Sequence, residues 1–139
     1  MVHELMECID WLPALPAPLP EDVSVVLGAI PQGTKYIAKL NQPEVRALFE
    51  KPEGNVQLFR EQALEWIGSD GLWNTVRLDR FVLHMDDIGN PTRIQLIDFK
   101  TDASGDLHTK YQDQLQRYEA GLKAVYGNVP VDSYLVALG

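Results

Sequence analysis

The apolar positions of this chain change their spacing near Asn55, and the change divides a helical first part from a β-rich remainder. In VHELMECIDWL, residues 2–12, apolar residues at 2, 5, 6, 9 and 12 follow a helical period. LPALPAPLP, residues 12–20, cannot continue a helix, because proline lacks the amide proton and clashes with the preceding turn. It predicts a loop or polyproline stretch. PEDVSVVLGAI, residues 20–30, predicts a short helix: Pro20 is tolerated at its start, acids follow, and Val23, Val26, Leu27 and Ile30 form one stripe. TKYIAKL and PEVRALFE predict two more, the second opened by Pro43.

Beyond Asn55 the spacing shortens. VQLFREQALEWI and LWNTVRLDRFVLHM read as strands joined by the turn GSDG, and TRIQLIDFK reads as a third strand after the turn IGNP. In residues 107–127, Leu107, Tyr111, Leu115, Tyr118, Leu122 and Val125 make a helical stripe that Gly127 ends as a C-cap. VDSYLVAL, residues 131–138, is a last short strand. The expected order is a helical part over 1–54, with its proline-rich loop, and β–β–β–α–β over 55–139. That is a single α+β (mixed α/β) domain whose sheet of about four strands is flanked by helices. No internal repeat is present.

A chain of 139 residues can bury a real core. It has no apolar run of membrane-spanning length and no basic region followed by an apolar one at its start, so neither a membrane partner nor a signal peptide is expected. One cysteine, Cys8, excludes an internal disulfide and a four-thiolate cluster, and is expected to be a small buried residue in a reducing, cytoplasmic setting. The net charge is −8, and residues 1–34 hold −5 of it with no Lys or Arg, leaving −3 for residues 35–139. This balance argues against a basic DNA-coating protein. It leaves room for nucleic acid where divalent ions bridge carboxylates to phosphate.

The candidate chemistry lies in RIQLIDFKTD. Residues i and i+2 of a strand share a face, so Asp98 and Lys100 stand together with Ile94 and Leu96 behind them. Two readings follow: a solvated ion pair at a strand end, or a catalytic carboxylate with a catalytic lysine. Asp79, in VRLDRF, has the parity of Arg77 and Phe81. Neighbouring strands lie about 5 Å apart, so carboxylates on both can share one cation. Mg²⁺ takes hard oxygen ligands of this kind, and the Phe99 carbonyl offers another. Lys100 would then orient a water or stabilise developing negative charge.

Three segments in order, Asp79-Arg80, Asp98-Phe99-Lys100-Thr101 and Gln114-Leu115-x-x-Tyr118, resemble the PD-(D/E)xK nuclease superfamily. Within it they are similar to the nuclease domain at the C-terminus of RecB- and AddA-type helicase–nucleases. The similarity runs from about Gln42 to the C-terminus. It implies a restriction-endonuclease-like core and a metal-dependent deoxyribonuclease that uses Mg²⁺ or Mn²⁺ in DNA end processing and leaves a 5′-phosphate. It implies metal ligands at Asp79, Asp98, the Phe99 carbonyl and His3, the last followed by Glu7 one helical turn on. It implies a water-activating role for Lys100 and positioning roles for Gln114 and Tyr118. Glu61, of an Arg-Glu pair, is either a further carboxylate of the site or a surface residue. His84 and His108 are read as a strand-surface and a helix-start residue. Where the family usually has glycine three residues before its first aspartate, this chain has Val76. No P-loop is present, so the implied partners are DNA and a helicase portion, in the same polypeptide or in a partner protein. A rival reading is a non-catalytic nuclease-like module that binds DNA or a partner protein.

Overall fold

Four strands build one sheet, and their order follows the chain. β1 (Asn55–Ile67), β2 (Trp73–Met85) and β3 (Pro91–Lys100) form an antiparallel meander, and β4 (Val131–Ala137) lies parallel to β3. The structure is a computed structural model that describes Met6 and residues 8–101 and 106–138. Tight turns set the meander. Gly71, at φ 80°, supplies the left-handed residue between β1 and β2. The Asp86 carboxylate caps the amides of Ile88 and Asn90 between β2 and β3. The parallel return to β4 needs a crossover, supplied by α4 (Leu107–Lys110) and α5 (Gln112–Tyr126), numbered after α1 (Glu21–Gly28), α2 (Gly33–Leu40) and α3 (Pro43–Phe49). The result is the expected α+β architecture, a mixed four-stranded sheet flanked by helices, consistent with a restriction-endonuclease-like core.

Both faces of the sheet are covered, and the alternation of β3 divides them. Ile94 and Leu96 pack with Leu115 and Leu122 of α5, while Ile97 and Phe99 pack with Leu27, Leu40, Val45 and Phe49 of the first three helices. Register carries the division across the sheet, since Phe81 pairs with Leu96 and Leu83 with Ile94. Phe59 stacks on Phe81 at 4.6 Å between centroids, and Tyr126 meets Phe81 edge-on at 5.9 Å, which anchors the end of α5. Gly121 lets α5 approach β1 closely. A Cβ there would stand 2.7 Å from the Trp66 ring.

Several expectations are corrected. The helix over residues 2–12 does not extend to Leu12. Cys8 lies in a turn and residues 9–14 carry no helix. The Leu12 amide donates to the Phe49 carbonyl at 2.8 Å, and the Ile9 and Asp10 carbonyls accept from Arg80. Met6, Ile9 and Leu12 are buried as their pattern requires, but tertiary partners claim the backbone. Cys8 is exposed rather than buried. The stripe of the first short helix is incomplete, because Val26 is 45% exposed, and so is Val125 at the end of α5. The long helix is interrupted at Tyr111, whose φ of −108° and ψ of 18° separate α4 from α5. His84 is half-buried rather than on the surface, and burial, followed by the Arg93 charge, lowers its pKa. No helix among the described residues is long and apolar enough to cross a membrane.

Candidate active site

The site forms where β2 and β3 stop pairing. Their ladder runs from Met85 to Arg80, opposite Ile97, and ends one residue short of both Asp79 and Asp98. There the side-chain phase of β2 changes. Phe81 and Leu83 join the α5-side core, and so do Val76 and Leu78, which have the opposite parity. Across from Asp79 by register stands Glu61, with φ 46°, a conformation costly for a residue with a side chain. The Asp79 carboxylate accepts from the Phe99 amide at 2.9 Å, so it ties the diverging end of β2 to β3. Val76, where the resembled family has glycine, is a core residue paired with Leu64.

Asp98 is 4% exposed. Its Oδ2 lies 2.8 Å from Lys100 Nζ. That contact is an ion pair without hydrogen-bond alignment, and the oxygen accepts no hydrogen bond among the described residues. Lys100 Nζ donates to Gln114 Oε1 in the first turn of α5 and lies 4.1 Å above the centroid of the Tyr111 ring. One turn further along α5, Tyr118 faces the carboxylates. Burial, then the charges of Asp98 and Asp79, push its hydroxyl up to about 12. At neutral pH it is therefore a neutral hydrogen-bond donor.

A cavity of about 340 Å³ opens between these groups, lined by Asp79, Asp98, Phe99, Lys100, Thr101, Tyr111 and Tyr118. Of the residues singled out from the sequence, Asp79, Asp98, Phe99, Lys100 and Tyr118 thus share one cavity, and Gln114 sits behind Lys100. His3 and Glu7 lie outside the described residues. Glu61 is engaged by Arg77 at 2.7 Å, and His108 is exposed at the start of α4. Among the described residues no three His, Cys, Asp or Glu side chains come together as a metal centre would need. The described cavity offers two carboxylates. Their donor type fits a hard divalent ion, although Asp98 Oδ2 is already faced by the Lys100 ammonium.

Two contributors have no role in the sequence reading. Tyr111 read only as part of an apolar stripe, yet it lines the cavity. Arg80 follows Asp79 and points to the opposite face. It donates to the Ile9 and Asp10 carbonyls and lies 4.5 Å over the Phe49 ring. Burial lowers its pKa to about 10. Arg80 therefore pins the segment at Ile9 and Asp10 to the back of the strand that carries Asp79.

No protein-family model matches the chain. It is 29% identical, over 153 aligned residues, to an ATP-dependent helicase/nuclease subunit of Streptococcus equi subsp. zooepidemicus strain MGCS10565. The alignment covers 99% of this chain and 12% of that protein, so the chain spans about an eighth of the length of this curated relative.

Proposed function

We propose that this chain is a metal-dependent deoxyribonuclease module of the PD-(D/E)xK type, working with a helicase in DNA end processing. The observation that carries the reading is the placement of Asp79, Asp98 and Lys100 in one cavity, with the Lys100 ammonium paired to the buried Asp98 carboxylate. The similarity to a helicase/nuclease subunit supports a nuclease-related role and a helicase as partner. Asp79 and Asp98 would hold Mg²⁺ or Mn²⁺, with the Phe99 carbonyl and His3 as further donors. When bound, such an ion lowers the pKa of its water and offsets the charge of phosphate oxygens.

The chain's own residues have distinct tasks. Lys100 presents an ammonium to the scissile phosphate, where it orients the attacking water and stabilises charge that builds on oxygen. Gln114 fixes the direction of that ammonium. Tyr118 donates its hydroxyl proton in a hydrogen bond near the carboxylates. The Asp79 contact to the Phe99 amide keeps the two strand ends at a constant separation.

Calorimetric titration with Mn²⁺ tests the reading. Asp79→Ala and Asp98→Ala are each expected to raise Kd at least tenfold, about 1.4 kcal/mol. The parent chain is expected to cleave linear DNA only with the metal. Variants that bind Mn²⁺ as well as the parent would refute the assignment. A parent that retains DNA but neither binds metal nor cleaves would favour the non-catalytic module.

A further inference from the structure

Lys100 has a third neighbour that the nuclease reading does not use. An ammonium has three N–H donors. Among the described residues, one side of it faces Asp98 Oδ2, one N–H points to Gln114 Oε1, and a third contact is the face of Tyr111, 4.1 Å from Nζ to the ring centroid. The same ring attracts a second ammonium, since Lys110 Nζ lies 5.4 Å from its centroid. We infer that Tyr111 is a positioning residue: its ring holds the Lys100 ammonium at the mouth of the cavity and yields it to a phosphate oxygen of the substrate. This inference rests on the proposed nuclease function.

The chemistry of the third partner matters. A second carboxylate in that position would add to the charge of Asp98 and compete with phosphate for the ammonium. A π face attracts the cation through its quadrupole, leaves the charge in place, and is weak enough to exchange. Lysine has a long flexible stem, so an ammonium held by two partners alone still swings. The ring closes the remaining direction. The local fold explains how the ring arrives there. Tyr111 stands at the junction of α4 and α5, and its ring lines the cavity beside Lys100 at the end of β3.

The test compares the parent chain with Tyr111→Phe, which keeps the ring, and Tyr111→Leu, which keeps bulk without it. Tyr111→Met replaces the leucine variant if that fails to fold. Two measurements are made: kcat and KM for Mn²⁺-dependent cleavage of a DNA oligonucleotide, and the NMR shift of the Lys100 ε-methylene, assigned with Lys100→Arg. The ε-methylene is expected to be shifted upfield by the ring in the parent and in Tyr111→Phe, and to return to its ordinary position in Tyr111→Leu. kcat is expected to stay within twofold in Tyr111→Phe and to fall about tenfold in Tyr111→Leu, with KM changed less than threefold. An unshifted ε-methylene in the parent overturns the inference. So does a leucine variant that loses the shift but keeps its kcat. A parent that cleaves nothing with metal present refutes the nuclease reading instead, and the inference falls with it even where the ring shift is seen.

Discussion

A lysine ammonium 2.8 Å from a buried carboxylate has two opposite uses. It can neutralise the carboxylate and so hold a strand end together, or it can stand ready for a substrate that brings its own charge. The surroundings of Lys100 favour the second. Among the described residues, a neutral amide and an aromatic face complete its contacts, and it borders an open cavity with Asp79 and Tyr118. Lys100→Ala should therefore leave the fold and Mn²⁺ affinity nearly intact while turnover falls by about 10²–10⁴, the usual contribution of a group acting on the attacking water. Circular dichroism, calorimetry and a cleavage assay on the same sample decide the matter. An unfolded variant would mean that Lys100 chiefly neutralises Asp98, an outcome expected when removing one partner strands a buried charge. At this scale the sequence was informative for a physical reason. Strand parity alone sets Asp98 beside Lys100 and Asp79 with Phe81. It carries no information on Tyr111, because a tyrosine on an apolar stripe has the same pattern whether its ring fills a core or faces an ammonium.

Elements show where local pattern stops being sufficient. The strands lie where alternation and turn residues put them, since a meander is governed by short-range signals such as GSDG and IGNP. Residues 9–12 depart from the expected helix because their apolar spacing is real but their backbone is claimed from outside, by Arg80 and by the Phe49 carbonyl. Arg46 does similar work for the proline-rich loop. It is fully buried, and its guanidinium donates to the Leu40, Pro13 and Ala17 carbonyls and to Asn41. No window of sequence shows contacts across such separations. The seating of α5 on β1 is equally non-local, and Gly121 tests it. In an exposed helix, glycine to alanine stabilises by about 1 kcal/mol. Here the added carbon would meet the rigid Trp66 ring at 2.7 Å, and forced overpacking costs about 1–3 kcal/mol. Gly121→Ala should lower the stability of the chain in urea by about 1 kcal/mol. In a Trp66→Leu background the same substitution should be neutral or stabilising. A destabilisation of equal size in both backgrounds would show that Trp66 is not the obstacle.

The whole molecule carries a net charge of −8, with the two site carboxylates adding local repulsion toward a phosphate chain. Arg46 and Arg80 are buried and engaged with backbone carbonyls, so they are withdrawn from any DNA-facing surface. A helicase supplying the strand would provide further phosphate contacts, and that remote binding energy orients the reacting phosphate as well as holding it. Alone, the chain should therefore cleave DNA slowly, with Mn²⁺ or Mg²⁺, and stop when a chelator is added. Its affinity should depend only shallowly on salt. Each neutralised phosphate adds about 0.9 to the slope of log K against log salt, so a chain touching about three phosphates gives a slope near 3 rather than the value near 10 of a fully basic surface. Fluorescence anisotropy of a labelled duplex between 20 and roughly 200 mM salt measures it. A steep slope, or tight binding without metal and no cleavage after metal is added, would mean that the chain holds DNA by a surface away from the Asp79–Asp98 cavity. The cavity would then be a relic of the fold, and the chain a binding module rather than an enzyme.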